Sequence, residues 1–203
     1  MRRLISSADD IVTVIVAGDL NSAFFLPFVL PVSVVTTASL WILDTNFGII
    51  NYLVGNSIAW FQDPVWAMPA VALVTIWWTV GFNMLLFIAG LQNISTDVYE
   101  AASIDGANAF QRFISITCPL IWPVTSLVLV LQLIAQFKIF DQVYLLTLGG
   151  PYNSTMVVLL YMYRQAFQLN RGGYASAVAI VLVVIMLLIS ALQFRLLQGK
   201  RAK

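Results

Sequence analysis

The chain has 203 residues, 61% hydrophobic and 9% charged, with a mean hydropathy of +0.91. Soluble domains carry about a quarter charged residues, so this is the composition of a membrane protein. Ten Lys and Arg against nine Asp and Glu leave no basic excess for nucleic acid, and one cysteine with no histidine excludes an internal disulfide, multi-cysteine metal centres and most hydrolytic and redox chemistry.

The first segment, residues 1–21, holds Arg2, Arg3 and a short apolar run over 11–17 preceded by Asp9 and Asp10. It fits neither a signal peptide nor a crossing well, and no structure is assigned to it. Beyond it, charges mark where the chain leaves the bilayer, because an ionised side chain at the bilayer centre costs about 2.5–3.5 kcal/mol on insertion scales. Charge-free intervals run over 20–43, 64–96, 113–137 and 172–194. Each holds the roughly 20 apolar residues a crossing needs, which predicts transmembrane helices at about 23–43, 66–90, 120–138 and 174–195. A further charge-free interval, 142–163, is broken in its middle by Gly149, Gly150, Pro151, Asn153, Ser154 and Thr155. Neither half can span. Its second half, 156–167, reads as a short interfacial helix with Tyr161, Tyr163 and Phe167 at headgroup level.

Four crossings place both termini on one side. That side collects Arg2, Arg3, Arg112, Arg195, Lys200, Arg201 and Lys203, while the opposite side keeps Lys138, Arg164 and Arg171. The positive-inside rule makes the richer side cytoplasmic, together with the tail at 199–203.

The most polar stretch between helices is 92–119, on the cytoplasmic side by the same count. Asp97 is suited to cap a short helix with Glu100 at its third position, Ala101 and Ala102 keep that helix thin, and Gly106 can end it at positive φ. A second helix is expected from Ala107 to about Thr117, meeting Pro119 and Pro123 as the chain re-enters the membrane. Caps and small residues alone would also suit a plain connector.

The spacing of Glu100-Ala101-Ala102, Gly106, Ile116 and Cys118-Pro119 resembles the EAA loop of permease subunits of binding-protein-dependent ABC importers. Other stretches are similar to the carbohydrate branch of that family, the maltose and glycerol-phosphate type permeases. They are Phe24-Phe25-Leu26-Pro27, Gly81-Phe82-Asn83-Met84, Ala89-Gly90-Leu91-Gln92, Phe140-Asp141-Gln142-Val143-Tyr144, Thr147-Leu148-Gly149-Gly150-Pro151 and Tyr174-Ala175-Ser176-Ala177. The resemblance covers about residues 22–198, with Cys118 where the family has Leu. Family members usually have six crossings, so this chain resembles one lacking the first two helices.

The resemblance implies an all-α membrane protein of the ABC importer permease type: a bundle of four transmembrane helices over 22–198 plus a cytoplasmic coupling helix. It implies that Glu100, Ala101, Ala102, Asp105 and Gly106 couple to a separate ATPase subunit dimer. A second permease subunit, an extracytoplasmic solute-binding protein and membrane lipid complete the expected partners, with no nucleic acid and no cofactor. The expected location is the bacterial or archaeal plasma membrane, crossed several times. No phosphate-binding G-x-x-x-x-G-K-[ST] loop occurs, so nucleotide is left to another subunit and the chain is not itself an enzyme.

Gln132 and Gln136 are four residues apart on one helix face, and Asn83 offers a further polar group on the second helix. Intramembrane polar groups face either a neighbouring helix or a substrate pathway, and both readings stay open. Gly149, Gly150 and Pro151 are a turn, or a turn that docks the binding protein. An ion-coupled secondary transporter or channel is the alternative function. It would call for intramembrane carboxylates or a pore-lining ring, and the four charge-free intervals supply none.

Overall fold

The computed structural model describes residues 25–198; the segments expected at 1–21 and 199–203 lie outside the described residues. Among the described residues every regular element is helical. Residues 25–29 form a helical turn, followed by α1 (Val32–Ile42), α2 (Ile49–Val54), α3 (Ala67–Gln92), α4 (Thr96–Ile104) and α5 (Ala109–Arg112). A π-helical turn, Phe113–Thr117, joins α5 to α6 (Cys118–Phe137). Then come α7 (Asp141–Leu146), α8 (Val158–Tyr163) with a second π-helical turn, Arg164–Gln168, and α9 (Gly172–Gln198).

Among the described residues three helices are long and apolar enough to cross a membrane: Ala67–Gln92, Ala109–Phe137 and Gly172–Arg195. They lie over the second, third and fourth of the expected intervals, the middle one starting earlier, at Ala109. The expected first crossing, 23–43, is not one helix. Pro31 has no N–H to continue the ladder, and α1 starts anew with Pro31 as its N-cap. The Leu30 carbonyl left at the break accepts a hydrogen bond from Trp78 Nε1 at 3.2 Å, and Phe28 stacks on Phe82 at 4.9 Å. The broken segment is thus fastened to α3, which satisfies a backbone group that would be costly to leave unpaired in lipid.

The expected helix over 107–117 is also corrected. Residues 109–137 form one continuous helical run, whose widened turn at Phe113–Thr117 ends two residues before Pro119. A proline ring crowds the carbonyl four residues earlier, and the π turn gives it room. In contrast, the interfacial helix expected over 156–167 corresponds to α8 and its π turn.

Packing is concentrated at the end of the bundle that carries Asp44, Asp63 and Asp141. There α1, the start of α3, α7 and α8 share a core of Val35, Leu43, Phe61, Ala70, Val71, Val74, Val143, Leu146 and Leu160. The 44–63 connection is organised by Asn51, 7% exposed. Its Nδ2 lies within 3.3 Å of the carbonyls of Asp44, Thr45 and Ile58, and its Oδ1 accepts from Trp60 Nε1 at 2.8 Å.

Further along, α3 packs on α6 and α6 on α9, yet apolar side chains stay open; Leu187 and Leu188 of α9 are 65% and 66% exposed. At about 25 cal/mol per Å² of apolar surface, such faces demand lipid or a protein partner. Hydroxyls on these helices are satisfied internally: Thr75 Oγ1 donates to the Val71 carbonyl and Thr79 Oγ1 to the Thr75 carbonyl, each at 2.8 Å.

Candidate functional site

The 92–119 connection is built from local rules. Ser95, not Asp97, is the N-cap of α4: its backbone is extended at φ −61° and ψ 138°, and its Oγ accepts from the Asp97 N–H at 3.3 Å. Asp97 lies in the first turn instead, where a carboxylate meets the positive end of the helix dipole. At the other end the Gly106 N–H donates to the Ser103 carbonyl at 3.2 Å and the Ala107 N–H to the Ala102 carbonyl at 3.0 Å. This pair of hydrogen bonds is a Schellman motif, and it requires the left-handed φ of +78° that Gly106 adopts. A Cβ on Gly106 would meet nothing within 4 Å, so backbone conformation, not space, demands the glycine. Asn108 then caps α5 in a reciprocal box with Gln111, their two bonds being 2.8 and 2.9 Å.

The candidate coupling residues divide by face. Glu100, Ala101, Asp105 and Gly106 are exposed, whereas Ala102 is half-buried. Ile104, which the spacing argument passed over, stands on the open side at 86% exposure. The open face therefore presents two carboxylates, from Glu100 and Asp105, one methyl and one branched apolar side chain, a shape suited to an apolar cleft with a basic rim.

Beneath that face run contacts that spacing did not disclose. Tyr99 Oη lies 2.9 Å from Thr117 Oγ1, and Arg112 Nη1 donates to Ser103 Oγ at 2.8 Å. Tyr99 and Ser103 are four apart, hence on one helix face, a signal the sequence did carry. The register that brings Thr117 opposite them had none.

In the bundle, Gln132 Nε2 donates to Asn83 Oδ1 at 2.7 Å. Gln136 is not brought to that pair and is exposed on α6. The three candidate pathway residues thus comprise one interhelical bond and one open amide.

The 147–155 turn is held from within. Gly149 adopts φ +81°, with Leu148, Tyr152 and Asn153 also at positive φ, and the Gly150–Pro151 peptide is cis. Thr155, fully buried, pairs with the Thr147 hydroxyl at 2.7 Å and donates to the Gly150 carbonyl at 2.9 Å. Arg164 reaches across, donating from Nη1 to Asn153 Oδ1 at 3.1 Å and from Nη2 to the Leu148 carbonyl. Tyr152 projects from the turn at 93% exposure. Between α8 and α9, Tyr161 Oη donates to Tyr174 Oη at 3.2 Å, a bond that holds the Tyr161 phenol above its usual ionisation range. Among the described residues no cluster of side chains could hold a metal ion.

Residues 19–202 match the family described as binding-protein-dependent transport system inner membrane component. The sulfoquinovosyl glycerol transport system permease protein SmoG of Agrobacterium fabrum is 33% identical over 182 residues, which are 88% of this chain and 59% of SmoG. The lactose transport system permease protein LacF of Rhizobium radiobacter is 34% identical over 189 residues, 88% of this chain and 62% of LacF. The chain therefore spans about three fifths of the length of these curated relatives. A chain in the crystal structure of a bacterial alginate ABC transporter, in complex with an alginate pentasaccharide-bound periplasmic protein, superposes with a TM-score of 0.80 at 26% identity. That match covers 87% of this chain and 63% of the other.

Proposed function

The chain belongs to the family of binding-protein-dependent transport system inner membrane components, and on that premise we propose that it is a transmembrane permease subunit of an ATP-driven importer for a sugar or related solute. The observation that carries the proposal is α4. A short helix is closed by the positive-φ Gly106, tied by side-chain hydrogen bonds to a long apolar helix, and turned so that Glu100, Ala101 and Ile104 face outward. Such an element suits a docking lever for a separate ATPase dimer, which supplies the hydrolysis.

In this reading the Gly106 end faces the cytoplasm of a bacterium or archaeon, as the Lys and Arg distribution favours. Docking falls to Glu100, Ala101, Ala102, Asp105 and Gly106. Gln136 lines the path on α6, which is completed by a second permease subunit. The turn at Gly149, Gly150 and Pro151, on the opposite side, receives a solute-binding protein. The sugar assignment draws on the relatives' names, since SmoG and LacF are permeases for a sulfoquinovosyl glycerol and for lactose.

The test is reconstitution of the full-length protein with its ATPase, second permease and binding protein in proteoliposomes. Uptake of labelled sugar should need ATP and all four components, and the purified chain alone should hydrolyse no ATP. Uptake driven by an ion gradient without the ATPase would refute the reading. Cysteine labelling in a Cys118-free background should place positions 106 and 152 on opposite sides of the membrane.

A further inference from the structure

None of the residues of α4 is fully buried and only Tyr99 and Ala102 are half-buried, so hydrophobic packing fastens this helix to the membrane bundle only weakly. Behind its first turn lies an open cleft of about 350 Å³, lined by Gly90, Ile94, Val98, Leu120 and Val124 among others. The ties are side-chain hydrogen bonds, and they land on the two ends of one π-helical turn. Arg112, just before Phe113–Thr117, donates to Ser103 Oγ at 2.8 Å. Thr117, the last residue of that turn, meets Tyr99 Oη at 2.9 Å. Ser103 Oγ in turn donates to the Tyr99 carbonyl at 2.8 Å, and Thr117 Oγ1 reaches back 3.5 Å to the Arg112 carbonyl. Four residues thus form one network that straddles the widened turn.

A π turn has one residue more per hydrogen-bonded ring than its neighbours, and such turns are frequent at functional positions. A push on α4, if α4 were attached on only one side of that turn, would be absorbed by the turn. Attached on both sides, α4 splints it. We infer that Tyr99 and Thr117 are positioning residues for energy coupling, the strut that makes α4, the π turn and the first turns of α6 move as one body. The inference rests on the coupling role proposed above for α4 and adds the route by which motion enters the membrane.

Tyr99→Phe and Thr117→Val each delete a hydroxyl and keep the shape, while Thr117→Ser keeps the hydroxyl. The measurement is ATP hydrolysed per solute imported, in the transporter assembled from the full-length protein and its partners. Loss of one net hydrogen bond predicts a rise of about threefold or more in either deletion variant. The double variant should show no further rise, because both changes remove the same bond, and Thr117→Ser should return close to the wild-type ratio. Wild-type ratios in both deletion variants, beside an uncoupled Ala101→Trp control, overturn the strut and leave the coupling role of α4 standing. A harmless Ala101→Trp overturns the coupling role, and the strut with it. Failed assembly of both deletion variants, or additive effects in the double variant, overturns the strut alone, since the pair would then be a folding contact or two separate ones.

Discussion

Gln132 and Asn83, 49 residues apart in sequence, meet side chain to side chain at 2.7 Å across the contact of α3 with α6. Gln136, one helical turn beyond Gln132, is exposed. Two glutamines that share a face by spacing therefore stand in different surroundings, one on a neighbouring helix and one on an open face, so their replacements should separate.

Gln132→Leu should lower the thermal stability of the assembled protein in detergent by about 0.6–2 kcal/mol, the range for hydrogen bonds between membrane helices. Gln136→Leu should leave stability and assembly near wild type and reduce uptake. The opposite pattern, with Gln136 needed for assembly and Gln132 for transport alone, would reverse the roles assigned to them.

Helix α3 approaches α6 where Gly90 faces Val124, and a Cβ on Gly90 would lie 2.7 Å from Val124 Cγ2. Gly90→Ala should therefore wedge the two helices, with an overpacking cost of about 1–3 kcal/mol, despite alanine's better helix propensity. Val124→Ala in the same chain should recover much of that loss. Thermal melts of the two variants and the wild type decide it; a Gly90→Ala protein as stable as wild type would mean that the helices part without cost.

The long apolar helices were legible because charge and hydropathy report them directly, and 67–92, 109–137 and 172–195 follow the charge-free intervals. The break at Pro31 was written in the sequence too, but a rule that counts only charges passes over a proline inside an apolar run. Gly106 was legible because a Schellman end needs a residue at positive φ. The N-cap was not settled by type, since Ser95, Thr96 and Asp97 are all good caps and only the chain path into α4 selects Ser95. Side-chain periodicity describes a helix against its own axis and carries no information on the offset between two helices. The pairs Tyr99 with Thr117 and Asn83 with Gln132 depend on that offset, and so appear only in three dimensions.

Arg164 joins the π turn after α8 to the 147–155 turn through Asn153 Oδ1 and the Leu148 carbonyl. Both partners belong to residues at positive φ, a conformation costing about 1–2 kcal/mol for residues other than glycine and so dependent on its surroundings. Arg164→Met keeps the length and apolar stem and removes both bonds. It should raise amide hydrogen exchange across 148–155 by several-fold and weaken capture of the solute-binding protein, with the exchange of α3 and α6 unchanged. Unchanged exchange at 148–155 would show that Thr147, Thr155 and the glycines hold the turn without the arginine.

The final prediction separates conformation from surface at the end of α4. Gly106 lies at φ +78° with open space where a side chain would go, so a substitution there is governed by backbone strain alone. A β-branched residue bears the highest cost in this region, about 1–2 kcal/mol or more, whereas asparagine tolerates it because its short polar side chain can bond locally. Gly106→Val should therefore undo the Schellman bonds from Gly106 and Ala107 and change the exit angle of α4, while Gly106→Asn should keep both. Ala101 tests the other half of the lever. It is exposed on the outward face, so Ala101→Trp leaves the fold of α4 intact and changes only what can approach it. Uptake in proteoliposomes should be abolished by Gly106→Val and by Ala101→Trp and largely kept by Gly106→Asn, with the three long helices inserted in all three. A plain connector would accept Ala101→Trp at under about 0.5 kcal/mol, the usual cost of a surface change, and near-normal uptake by that variant would remove the docking role from this face.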